Sequence, residues 1–120
     1  MKLILGGAHQ GKTAFAIKKF NTYPQICTES SALTEPCINC FHLLIKDLLS
    51  QGKDPYEFTQ KLIAENPNAI IICDEIGLGV VPLNKESRIW REAVGRCLCL
   101  IAKEADYVCR ILAGLETKIK

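Results

Sequence analysis

Residues 2–20 read KLILGGAHQGKTAFAIKKF, and within them Gly6-Gly7-Ala8-His9-Gln10-Gly11-Lys12-Thr13 spells G-x-x-x-x-G-K-T. Leu3, Ile4 and Leu5, with the stem of Lys2, run into the pattern as a short buried strand. A helical segment with Ala14, Phe15 and Ala16 runs out of it. Strand, glycine loop and helix in that order form the context a phosphate-binding loop needs. Gly6 and Gly11 permit tight, partly left-handed backbone that a side chain would forbid. Successive N–H groups then face inward as an anion site, with the positive end of the helix behind them. On this reading residues 6–13 hold the phosphates of ATP or GTP. Lys12 reaches the β- and γ-phosphates, and the Thr13 hydroxyl meets a phosphate-bound Mg²⁺. The rival reading is a plain glycine turn after a strand.

The rest of the chain alternates in the same way. Helices are expected over Lys12–Phe20, which Pro24 cannot continue, and over Phe41–Ser50, with Phe41, Leu44, Ile45 and Leu48 at helical spacing. Asp54-Pro55-Tyr56-Glu57 opens a third helix, with a cap, a proline at the first position and an acid at the positive end. It stops near Asn66-Pro67. Asn84 caps the longest helix, over Lys85–Ala105, whose apolar face is Trp90, Val94, Cys97, Leu98, Ile101 and Ala105. Strands are expected at Cys37–Cys40, at Ala69–Cys73 (a β-branched run suited to burial on both faces), at Tyr107–Ala113, and briefly at Cys27–Glu29. Ile76–Leu83 is a glycine-punctuated loop, and the residues after Gly114 form a polar tail. This alternation predicts an α/β fold, a mostly parallel sheet between helical layers. Ligands gather at the carboxyl ends of such strands, where residues 6–13, Asp74-Glu75 and Gly114 all fall.

With 120 residues, one domain with a single core is expected. A net charge of +2 gives no case for nucleic acid or an anionic membrane. The apolar start is too short for a secretion signal, and no run reaches a membrane span, so a cytoplasmic location is expected. Seven cysteines are then expected as reduced thiols. Cys37 and Cys40 have C-x-x-C spacing, but Cys73, Cys97 and Cys109 lie in apolar runs, where thiols act as small hydrophobes.

Two further groups bear on chemistry. Asp74-Glu75 follow an apolar strand, where a phosphate-loop enzyme puts the acid that holds the Mg²⁺ shell or activates a nucleophile; a solvated strand end is the alternative. Arg88 and Arg91 share one face of the long helix and could clamp phosphate or carboxylate; a solvated charged face is the alternative there.

Gly6-Gly7-Ala8 with Gly11-Lys12-Thr13, Asn39-Cys40, and Glu75-Ile76-Gly77-Leu78-Gly79-Val80-Val81-Pro82 with Asn84, Arg88 and Arg91 together resemble the adenosylcobinamide kinase/adenosylcobinamide-phosphate guanylyltransferase family of cobalamin assembly. The resemblance is densest from Ile71 to Lys120. It implies a RecA-type P-loop NTPase fold and phosphorylation of the aminopropanol hydroxyl of adenosylcobinamide. Lys12, Asp74, Glu75, Arg88 and Arg91 would then be the catalytic set, and Thr13 and Asp74 the Mg²⁺ ligands. It also implies assembly into homo-oligomers. The family's second reaction passes through a guanylylated histidine between the first helix and the Asn39-Cys40 strand. Here Phe20 to Cys37 contains no histidine and no arginine. His9 lies inside the phosphate loop and His42 follows the strand, so neither matches that position and guanylyl transfer is not expected. Two alternatives stay open: a non-catalytic nucleotide-binding sensor or partner subunit, and an NTPase with another small-molecule acceptor.

Overall fold

The computed structural model describes residues 1–76 and 84–120. The glycine-punctuated loop expected over Ile76–Leu83 lies, from residue 77 onward, outside the described residues. The elements in chain order are β1 (Lys2–Gly6), α1 (Lys12–Phe20), β2 (Gln25–Ile26), a short 3₁₀ turn (Ser31–Leu33), β3 (Cys37–Asn39), α2 (Phe41–Ser50), α3 (Pro55–Glu65), β4 (Ile70–Asp74), α4 (Lys85–Glu104), β5 (Tyr107–Leu112) and β6 (Leu115–Lys118). The strands form one sheet in the order β2-β3-β4-β1-β5-β6, parallel throughout except for β6. This is the three-layer α/β, mostly parallel arrangement that the alternation predicted.

The layers follow from the period of two along each strand. Leu3, Ile71, Cys73 and Val108 point to one face, where they pack with Phe41, Ile45, Leu48, Leu62, Val94, Cys97 and Ile101 from α2, α3 and α4. Ile4, Ile72, Cys109 and Ile111 point to the other, against Ala16 and Phe15 of α1. Leu3, Ile4 and Ile71 have no exposed surface at all. Each such side chain contributes about 1.5–3 kcal/mol by leaving water, which is why β1 and β4 sit at the centre of the sheet.

The caps that the sequence predicted are made. Asp54 Oδ1 accepts from the Tyr56 and Glu57 amides, and Asn84 Oδ1 accepts from the Ser87 amide at 2.7 Å. α1 differs, because its N-cap is Gly11, which has no side chain to offer.

Two expectations are corrected. The second strand is Gln25–Ile26, not Cys27–Glu29. Thr28 instead hydrogen-bonds Ser31, its amide donating to Ser31 Oγ at 2.8 Å, and that local bonding turns the chain toward the 3₁₀ segment. The polar tail is in fact β6, which turns back on β5 with Leu112 opposite Leu115 and Cys109 opposite Lys118. Alternation is weak in β6 because it is a solvent-exposed edge strand, so periodicity gave no signal.

Candidate functional site

Gly6 ends β1 directly beside Asp74, which ends β4. Between them Lys12 finds its partners. Lys12 Nζ donates to the Gly7 carbonyl at 2.6 Å and stands 2.7 Å from Asp74 Oδ1. Only 7% of the Lys12 side chain is exposed, against 27% of Asp74. Such a buried ammonium requires a counter-charge, and the end of β4 supplies it.

The loop itself is held by close backbone approaches. Gly11 has φ 92°, a left-handed conformation that favours glycine. A Cβ at Gly6 would lie 2.6 Å from the Ile111 carbonyl oxygen, so only glycine fits beside β5. The turn between β5 and β6 clasps the loop from outside. The Ala113 amide donates to Gln10 Oε1 at 2.7 Å, and the Gly114 amide donates to the Gln10 carbonyl at 2.8 Å. Gly114 thus meets the loop as its place at a strand end suggested. Because Gly11 caps α1 without a side chain, no side-chain oxygen claims the helix's first N–H groups, which leaves them for an anion.

His42, which sequence reasoning set aside, lies against the same carboxylate. It is 6% exposed, in the first turn of α2. The Asp74 amide donates to its Nδ1 at 3.2 Å, and its Nε2 stands 3.5 Å from Asp74 Oδ2. An Nδ1 that accepts an N–H carries no proton, so the ring hydrogen is assigned to Nε2, facing Asp74. Burial holds the imidazole below its ordinary pKa; nearby Lys12 adds to this, and Asp74 opposes it. Trp90 Nε1–H donates to the His42 carbonyl at 2.8 Å and so ties α4 to the start of α2. Trp90 also lines a cavity of about 690 Å³ between α2 and α4, with Lys46, Ser50, Asn84 and Ser87. The signal for His42 was present: a histidine two residues after Asn39-Cys40, at the carboxyl end of a strand, in an otherwise apolar helix face.

The other predicted residues are placed as follows. Ala8 and His9 are exposed on the loop. Thr13 is exposed in the first turn of α1, next to Lys12. Glu75 pairs with Arg110, whose Nε donates to Oε2 at 3.0 Å. Arg88 and Arg91 stand near the start of α4 on either side of Trp90, Arg88 exposed and Arg91 half-buried. All seven cysteines are free thiols, and Cys37, Cys73, Cys97 and Cys109 are buried. Burial pushes the Cys37 thiol up to about 11 and the Cys73 thiol up to about 12, so both keep their protons at neutral pH and act as core residues.

The donor set suits Mg²⁺. That ion takes hard oxygen ligands, usually one or two from protein with the rest from phosphate and water. The Asp74 carboxylate and the Thr13 hydroxyl are such oxygens, and Lys12 links them, next to Thr13 in sequence and touching Asp74 in space. No helix among the described residues is long and apolar enough to cross a membrane.

Comparison with known proteins bears on the family of the chain. The bifunctional adenosylcobalamin biosynthesis protein CobU of Salmonella typhimurium is 35% identical over 51 residues, which cover 42% of this chain and 28% of that protein. The matched stretch is therefore little more than a quarter of that relative's length. The family described as cobinamide kinase / cobinamide phosphate guanyltransferase matches residues 26–119. Residues 6–13 precede that match. Since residues 26–119 make up most of the chain, it belongs to the cobinamide kinase / cobinamide phosphate guanyltransferase family.

Proposed function

We propose that this protein binds ATP or GTP with Mg²⁺ at residues 6–13 and transfers the terminal phosphoryl group to the aminopropanol hydroxyl of adenosylcobinamide. The observation that carries the reading is Lys12 held between the Gly7 carbonyl and Asp74 where β1 and β4 end. A nucleotide's phosphates would take over the ammonium, and Asp74 would be released toward the metal side of the site. Mg²⁺, when bound, would neutralise charge on the phosphate oxygens, with Thr13 and Asp74 to hold it. The acceptor oxygen forms a bond to the γ-phosphorus while the bond to the β,γ-bridging oxygen breaks. The hydroxyl proton passes to a carboxylate, Asp74 or Glu75, and the products are a phosphate monoester and the nucleoside diphosphate. Arg88 and Arg91 would meet phosphate or acceptor groups from α4, the helix that Trp90 ties to the His42 carbonyl.

Guanylyl transfer through a histidine is left out of the proposal. Phe20 to Cys37 contains no histidine, and both ring nitrogens of His42 face Asp74. The deciding experiment is calorimetry of ATP and GTP with Mg²⁺, repeated on Lys12→Ala and with adenosylcobinamide added. Affinity that falls at least ~100-fold in Lys12→Ala and rises with adenosylcobinamide is the expected result. Affinity indifferent to adenosylcobinamide would replace the kinase by a nucleotide sensor, and no binding at all would sink the reading. An acid-labile guanylyl adduct after incubation with GTP would overturn the exclusion of guanylyl transfer.

A further inference from the structure

We propose that His42 is a positioning residue that fixes Asp74 at two points, its amide through Nδ1 and its carboxylate through Nε2–H. The inference rests on the nucleotide-binding reading above and deepens it. Asp74 ends β4. Its carboxylate has Lys12 on Oδ1 at 2.7 Å and His42 on Oδ2 at 3.5 Å. When phosphate draws Lys12 away, one of these two restraints is lost. His42 then keeps the carboxylate aimed at the loop, ready for a metal ion rather than free to rotate into solvent. The histidine can do this because it is itself held. It is buried on α2 with Phe41 and Leu44, and the Trp90 indole N–H bonds its carbonyl at 2.8 Å. Its tautomer follows from the Asp74 amide, because an N–H aimed at Nδ1 leaves the proton on Nε2. That is the arrangement in which an outer-shell histidine orients a carboxylate. With both nitrogens committed to Asp74, it is not the arrangement of a nucleophile.

The test uses three variants of the 120-residue chain. An asparagine side chain reaches the Nδ1 position with an acceptor oxygen, and a glutamine side chain reaches the Nε2 position with a donor nitrogen. His42→Ala supplies neither. Two measurements separate the contacts. In the nucleotide-free protein, hydrogen exchange at the Asp74 amide is expected to quicken about tenfold in His42→Ala and to stay near the parent rate in His42→Asn. For ATP and GTP, the gain in affinity that Mg²⁺ confers over an EDTA buffer is expected to shrink about tenfold in His42→Ala. Glutamine, but not asparagine, is expected to recover most of that gain, while affinity in EDTA stays within about twofold of the parent for all three.

A merely structural role for the buried ring would lower affinity equally with and without Mg²⁺, and that result overturns the proposal. So does an unchanged Asp74 amide in His42→Ala. If His42→Ala does not fold, the asparagine–glutamine contrast decides alone. A parent chain that binds no nucleotide would fell the preceding reading instead, and the exchange measurement would still show whether His42 holds Asp74.

Discussion

The two ends of β1 each carry a lysine paired with an aspartate, in opposite settings. At the start of the strand, Lys2 Nζ lies 3.7 Å from Asp106 Oδ1, and 71% of the Asp106 side chain is exposed. At the other end, beyond Gly6, Lys12 Nζ lies 2.7 Å from Asp74 Oδ1 with the lysine buried. The charges are the same and the solvent is not. Water competes for both members of the first pair and screens them, so their attraction adds little. In the second, Lys12 is buried and Asp74 is its counter-charge, so removing the carboxylate strands the ammonium. One end of the sheet is therefore a soluble fringe. The other keeps its lysine out of water, beside a carboxylate.

The backbone makes the same distinction. Among the described residues, most of those with positive φ lie just beyond the carboxyl ends of strands, His9 at 61°, Gly11 at 92°, Cys40 at 54°, Ala113 at 50° and Gly114 at 77°, while Asn21 and Gly52 follow helices. None lies at the start of β1, β4 or β5. The largest predicted effect follows from this crowding. Gly6→Ala would set a Cβ 2.6 Å from the Ile111 carbonyl oxygen, and that neighbour is backbone, which cannot swing aside. β1 and β5 would have to separate, at a cost of about 2–3 kcal/mol by urea unfolding. A loss below about 0.5 kcal/mol would mean that this end of β1 is as tolerant as the other.

Next in size is Asp74→Asn. The amide still accepts from Lys12, but the counter-charge is gone and the ammonium stays buried. We expect a loss of about 1–3 kcal/mol in equilibrium unfolding, little altered by salt. If the variant matches the parent, Lys12 has swung into water on its own, and the contrast between the two ends disappears.

Much of this was legible in the sequence, because the fold rests on signals that act locally. Asp54-Pro55 and Asn84 cap helices through their own side chains, and Ile70–Cys73 cannot be soluble on either face. The G-x-x-x-x-G-K-T pattern is legible because its residues fall within eight consecutive positions, although Ile111 and Asp74, which crowd Gly6 and pair with Lys12, lie far along the chain. What was hidden depends on residues far apart in the chain. His42 meets Asp74 from 32 positions away, Arg110 meets Glu75 from 35, and Gln10 meets Ala113 from 103. None has a spacing that periodicity reports. Sheet order brings β3, β4, β1 and β5 side by side, and only then do these side chains share one edge. β6 was missed on other grounds. As an edge strand it pairs on one side, and its sequence LETK has no buried face to declare itself.

The smallest predicted effect tests the exposed end. Lys2, with the nearby terminal amine, holds the Asp106 carboxyl below its ordinary pKa of 3.8. A carboxyl whose folded pKa is depressed adds stability above its unfolded pKa and loses it as pH falls through the folded value. Asp106→Asn should therefore lower Tm by no more than about 2 °C at neutral pH and low salt. The difference from the parent should fade at about 1 M salt, where the screening length is shorter than the 3.7 Å gap. It should fade again as pH falls below 3.8, where the parent's own carboxyl takes up a proton. Asp74→Asn, measured in the same salts, should keep most of its penalty, because the ions that screen Lys2 from Asp106 cannot enter between Lys12 and Asp74. Equal salt sensitivity in the two variants would place both pairs in water, and the contrast between the two ends of β1 would be lost.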